Sequence, residues 1–201
     1  MIVGLLRHGR TAWNDAGRLQ GRADVPLSPE GRAQVARWQL PPALAGGRIV
    51  ASPLARAAET ARLLAGRAPA LDPDLAEMDW GAWEGETFER LRTLHGPAFA
   101  AEEARGLDFR PPGGESLREV QRRLLRWLAR EAAAGGTVVA VTHRGVLNTL
   151  VAHLTAWNGI GRAPLRLRPD CVHVVAVDAA GEVREHAWNV ALDAGARDAN
   201  A

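Results

Sequence analysis

Apolar runs of strand length recur along the chain at residues 2–6, 48–51, 137–141 and 172–177. Between them the apolar positions follow a helical period. Ser28-Pro29-Glu30 opens one such segment with a capping residue followed by proline at the first helical position. Ser52-Pro53 repeats that device ahead of a helix expected over 54–64, with Gly66 as its stop. Ser116 and Glu119 have capping-box spacing, and behind them Leu117, Val120, Leu124, Trp127 and Leu128 share one helical face. That helix is expected to end near Gly135-Gly136. Residues 182–188 read as the partner of 172–177 in a terminal hairpin or sheet-edge extension. Residues 78–114 are less periodic and rich in Gly and Pro, and read as a lid-like excursion carrying short helices. The tail after Ala191 reads as frayed, and no repeat is visible.

Strands alternating with helices predict an α/β fold: a three-layer α/β/α sandwich on a mostly parallel central sheet. The expected organisation is a single domain over 1–201 with a short lid insertion at about 78–114. With 47% hydrophobic and 24% charged residues over 201 positions, the chain has ordinary globular composition rather than that of a disordered one. A single cysteine, Cys171, leaves no disulfide framework and reads as a small core residue. The seven Trp residues read as core anchors rather than a stacking surface.

Charge narrows the partners. Every one of the 25 basic residues is arginine, yet 23 acidic residues are interspersed and the net charge is only +2. This is not the one-sided basic face of a nucleic-acid binder. No stretch has the length and apolarity of a membrane span, and the first apolar run lacks the form of a secretory leader. A cytoplasmic location, with no nucleic-acid or membrane partner, is the expectation. Among the six histidines there is no H-E-x-x-H pair, and arginines flank His8 and His143, which disfavours a bound cation; no metal is expected. Nucleotide phosphate loops are also missing.

In open parallel sheets, ligands collect beyond the carboxyl ends of the strands. The first strand delivers Arg7-His8-Gly9-Arg10-Thr11 there, the second Ser52 through Arg56, and the strand at 137–141 delivers Thr142-His143-Arg144. Taken singly, each has an ordinary structural role: a hydrogen-bonded histidine, a solvated arginine, a capping Ser or Thr. Together, two imidazoles and two guanidiniums on one rim repel one another unless an anion neutralises them. A tetrahedral phosphate fits, since it accepts several charge-assisted hydrogen bonds.

Leu6-Arg7-His8-Gly9 with Thr11, Trp13 and Asn14 resembles the signature of the histidine phosphatase superfamily, in its phosphoglycerate mutase-like branch. Agreement continues through Gly21-Arg22-Ala23-Asp24-Val25-Pro26-Leu27-Ser28, Ser52-Pro53-Leu54-Ala55-Arg56-Ala57 with Glu59-Thr60-Ala61, Leu75-Ala76-Glu77-Met78-Asp79-Trp80-Gly81, and Val141-Thr142-His143 with Gly145. The resemblance implies His8 as the nucleophile that becomes a phosphohistidine, and Arg7, Asn14, Arg56 and His143 as the phosphate pocket. Glu77 becomes the proton donor to the leaving group. Read without the family, Asp74, Glu77, Asp79 and Glu84 are interchangeable as caps, turn carboxylates or surface charges.

That chemistry asks for a neutral imidazole held in one tautomer, so the second ring nitrogen of His8 should donate to a backbone carbonyl. It needs no metal and no organic cofactor. The chain departs from the family pattern at Arg10 and Arg144, which either pair with Asp15 and Glu84 or, with Arg18 and Arg22, select a substrate bearing a second anionic group. The short interval from Glu77 to His143 leaves little lid to exclude water. It favours hydrolysis of a small phosphorylated metabolite over phosphoglycerate mutase-type transfer. Other readings are a non-catalytic phosphate-ligand binding protein and, as a specific substrate assignment, an alpha-ribazole phosphatase. Leu91, Leu94, Phe99 and Leu107 either wall the leaving group or pack the lid onto the body. A monomer, or a homodimer through a sheet edge near 172–177, is expected.

Overall fold

Successive residues of a strand point to opposite faces of its sheet, so a strand that is apolar throughout needs cover on both sides. The computed structural model describes residues 1–192 and meets that need with three layers. Six strands lie in the order β3-β2-β4-β1-β5-β6. They are β1 (Ile2–Arg7), β2 (Arg48–Ala51), β3 (Ala70–Leu71), β4 (Thr137–Thr142), β5 (Cys171–Val177) and β6 (Val183–Ala191). The first four in that order run parallel, while β5 is antiparallel to β1 and β6 antiparallel to β5.

Val3, Leu5, Val138, Ala140, Val175 and Val177 face one layer, made by α5 (Leu117–Ala134), α6 (Arg144–Thr155) and the insertion. Leu6, Val139, Val141, Val172 and Val174 face the other, made by α2 (Pro29–Val35), α3 (Ala55–Ala65) and the segment around Trp38 and Leu44. The predicted face of α5 is buried as read, with Val120, Leu124, Trp127 and Leu128 all at 0% exposure. Its capping box forms, with Ser116 accepting from Glu119 N while the Glu119 carboxylate accepts from Ser116 N.

Three features differ from the sequence reading. Within residues 78–114, α4 (Phe88–Glu103) spans 16 residues and breaks at Gly96, whose φ of 44° precedes Pro97. The break keeps any single period from running through the segment. Trp83, Leu91, Phe99 and Phe109 pack into the core, so Leu91 and Phe99 hold the insertion to the body, and Leu94 is exposed to solvent. The strand at 172–177 is not a sheet edge: β5 is paired on both sides, by β1 and β6, and the edge is β6. Leu192, in the tail read as frayed, is buried and donates to the Asp170 carbonyl, and the rest of that tail lies outside the described residues. Among the described residues, no helix is long and apolar enough to cross a membrane.

Candidate active site

The carboxyl ends of β2, β4 and β1 are adjacent in the sheet, so the three segments that follow them meet without any long excursion. Main-chain bonds fix their start: His8 N donates to Thr142 O at 3.0 Å and Ser52 N to Val141 O at 3.0 Å. The imidazoles of His8 and His143 then stand with ring centroids 5.0 Å apart. Both rings are buried. His8 Nδ1 lies 2.7 Å from the Gly9 carbonyl, which can only accept, so Nδ1 carries the proton and Nε2 keeps its lone pair. The expected backbone tether of the nucleophile is therefore present.

Burial of His8, together with the nearby charges of Arg7 and Arg56, lowers its pKa well below the usual histidine value. His143 is lowered in the same way, by burial first and then by Arg56, His8 and Arg7. Two neutral rings can approach to this distance where two imidazolium ions would repel. A neutral His8 is also the form that can attack phosphorus.

Arg56 comes from the first turn of α3 and is completely buried. Its terminal nitrogens donate to Ala23 O at 2.9 Å and Gly21 O at 2.8 Å, which aims the guanidinium as a fixed fork. Its Nε, the Nε of Arg7 and the Nδ1 of His143 are buried without a hydrogen-bond partner among the described residues. Leaving such groups unpaired costs about 1–3 kcal/mol each, more when charged. Three of them gathered around one ring pair describe a receptor for an acceptor-rich anion.

Glu77 reaches this group from the segment after β3. It is buried, accepts from Met78 N at 2.8 Å through Oε1, and accepts from Gly145 N at 3.1 Å through Oε2. The first turn of α6 thus holds the carboxylate with a free amide at the positive end of the helix. Only glycine allows this approach, since a Cβ on residue 145 would lie 2.3 Å from Oε1. Glu77 is also the leading favourable charge on both Arg7 and Arg56. The segment is pinned by Thr142 Oγ1, which donates to Leu75 O at 2.7 Å. Arg123 of α5 adds a bond to Asp74 O at 2.6 Å while pairing with Glu115 at 2.8 Å.

The structure thus brings Arg7, His8, Arg56, Glu77 and His143 together and leaves other candidates aside. Arg10 is exposed and pairs with Asp15. Arg22 pairs with Glu115 at 3.5 Å, and Arg18 sits 6.0 Å from the ring centre of Trp13. Asn14 lies in the first turn after the rim, in α1 (Ala12–Asp15), where its Oδ1 accepts from Thr11 N at 3.1 Å and Thr11 caps the turn in return. Glu84 accepts from Gly21 N and Ala23 N, the same segment that aims Arg56, and its charge favours that guanidinium. Arg144 is exposed and lines a cavity that also reaches Arg7.

Ser52 is a site residue that the sequence reading missed. Its Ser-Pro context reads as a helix cap, yet the N-cap of α3 is Leu54 and the amide of Ala55 is satisfied by Asp24 at 2.6 Å. Ser52 Oγ accepts from Leu54 N at 3.3 Å and also lies 2.8 Å from His143 Nε2. Cys171 is buried as expected, with its thiol pushed up to about 11, chiefly by burial. Among the described residues, no group of three or more His, Cys, Asp or Glu side chains is placed to hold a metal ion.

Known proteins resemble this chain over most of its length. The family model of the histidine phosphatase superfamily (branch 1) matches residues 3–190. The chain is 40% identical over 147 residues to a protein of Mycobacterium tuberculosis described as bifunctional, covering 69% of this chain and 40% of that one. It therefore spans about two-fifths of the length of that relative. It is 32% identical over 173 residues to a protein of Salmonella paratyphi C named as a probable phosphoglycerate mutase, covering 83% of this chain and 80% of that one. Among solved structures, a mycobacterial glucosyl-3-phosphoglycerate phosphatase in complex with VO3 superposes with a TM-score of 0.77 at 27% identity. The alignment covers 94% of this chain and 99% of that one. The chain belongs to the histidine phosphatase superfamily, branch 1.

Proposed function

We propose that the protein is a phosphatase that hydrolyses small phosphomonoesters through a phosphohistidine on His8. The observation that supports this most is the tethered, neutral imidazole of His8 near Arg7 and Arg56, each with a buried nitrogen that has no hydrogen-bond partner among the described residues. In the first step His8 Nε2 forms a bond to phosphorus as the bond to the ester oxygen breaks. The Glu77 carboxyl gives its proton to that oxygen, and the alcohol leaves. In the second step the Glu77 carboxylate takes a proton from water as the oxygen attacks. The P–N bond breaks, its electron pair returns to Nε2, and inorganic phosphate departs. Arg7, Arg56 and His143 hold the equatorial oxygens through both steps, and Asn14 closes the pocket as the family resemblance implies.

Hydrolysis is favoured over return transfer by the modest cover. α4 is packed into the core through Leu91 and Phe99, while the groups that would hold phosphate stand on the strand ends. The test is hydrolysis of p-nitrophenyl phosphate, with acid-labile protein-bound phosphate trapped by rapid quenching. His8→Ala should lose both signals, with a fall in kcat on the order of 10⁵-fold or more. Turnover by His8→Ala equal to the parent would remove the reading. Turnover only when a bisphosphorylated primer and an acceptor are supplied would favour a mutase.

A further inference from the structure

Of the arginines expected to recognise a second anion, Arg10 and Arg22 pair with Asp15 and Glu115 and Arg18 lies by Trp13, which leaves Arg144. Unneutralised arginines occur elsewhere. A cavity of about 940 Å³ opens beside Arg7 and is lined by Arg144 from α6 and by Trp157, Arg162, Arg166 and Arg168 from the segment joining α6 to β5. Among the described residues Asp170 is the one carboxylate in its lining, and Arg168 engages it at 3.1 Å. Among the described residues no carboxylate pairs with Arg144, Arg162 or Arg166, although most of the chain's other surface arginines have one.

The backbone under these side chains is anchored. Asn189 of β6 accepts from Arg168 N at 2.7 Å and donates to Arg166 O at 3.1 Å. The Trp157 indole donates to Ile160 O at 2.9 Å, and Asn158 O accepts from Leu107 N at 2.9 Å. Arg144 also adds to the positive field at Arg7. Like charges collected in a concave wall raise a positive potential that an anion relieves. Arg7 lines this wall and also stands beside Glu77 and Arg56, so the cavity adjoins the phosphoryl pocket.

We propose that Arg144, Arg162 and Arg166 form a second anion subsite. It takes a carboxylate or a second phosphate carried on the alcohol part of the substrate, and the preferred substrates are phosphomonoesters with that additional charge. The proposal rests on the phosphatase reading for its orientation, but its test needs no turnover. Calorimetric titration of His8→Ala protein compares 3-phosphoglycerate with glycerol 3-phosphate, and a sugar bisphosphate with its monophosphate. The doubly anionic member of at least one pair should bind about tenfold or more tightly, a gain of roughly 1.4 kcal/mol per tenfold. Preference in the first pair identifies a carboxylate, and preference in the second a phosphate. Adding Arg162→Ala and Arg166→Ala together should abolish the preference while inorganic phosphate binds as before. Equal affinities within both pairs, or a preference that survives the double replacement, overturns the subsite. A parent protein inactive on every phosphomonoester would overturn the proposed function instead.

Discussion

Arg56 and Arg10 each follow a strand of the central sheet, and their surroundings could hardly differ more. Arg56 is fully buried and aimed by two backbone carbonyls, and its remaining nitrogen is unmatched among the described residues. Arg10 is exposed, and its charge is answered five residues later by Asp15. In a chain whose cations are all arginine, residue type therefore says little about role. Saturation of the hydrogen-bonding groups says much more. A surface pair in water is worth about 0–1 kcal/mol, whereas a preorganised buried donor acts at full strength on a developing charge.

The sharpest way to break the contrast is Arg56→Met. It should lower kcat/KM for p-nitrophenyl phosphate by about 10²–10³-fold, or roughly 3–4 kcal/mol. A loss below tenfold, with the fold intact by circular dichroism, would put Arg56 in the same class as Arg10.

A second test uses acid. His173 is lowered to about 4 by burial alone, while His8 and His143 are lowered by burial and the nearby arginines. Above the ordinary histidine value near 6.5 both folded and unfolded chains are neutral at these positions. As pH falls below it the unfolded chain takes up protons that the folded chain refuses, so stability is present above 6.5 and drains away toward pH 4. His173 alone should contribute about 3 kcal/mol of that loss. Urea unfolding from pH 7.5 to 4.5 measures it, and Arg56→Met should make the decline shallower because His8 and His143 then protonate more readily. A flat profile contradicts the buried neutral imidazoles.

The smallest effect belongs to the surface. Arg10→Ala should leave kcat/KM within about twofold on singly and doubly anionic esters and stability within about 0.5 kcal/mol. A selective loss on the doubly anionic ester would return Arg10 to substrate recognition.

Much of this arrangement was legible in the residues. The strand ends, the capping box at Ser116 and the grouping of His8, Arg56 and His143 follow from local pattern plus one topological rule. What stayed hidden depends on partners that pattern does not specify. Ser52 sits where a helix cap would, and only the fold shows that His143 takes its hydroxyl. Arg56 is aimed by carbonyls of Gly21 and Ala23, and main-chain acceptors leave no mark in side-chain identity. The kink at Gly96 masks α4. β5 is inner because β6 pairs along it from Val183 to Ala191, and the pattern of one strand does not say which of the two takes the edge. The arginines at 162 and 166 stand in a segment without regular period, so nothing local tied them to Arg144.

The anchoring of Glu77 has one more consequence. His143 caps α6 and Gly145, two residues on, holds the carboxylate, so the proposed acid and the second imidazole ride on one rigid helix end. His8 and Arg56 are fastened to the same sheet. None of the four hangs from residues 88–109. That stretch meets the body through Leu91, Phe99 and Phe109, so the proposed tools for bond cleavage sit on the chassis and the cover is a separate fitting whose exposed positions can vary without moving them.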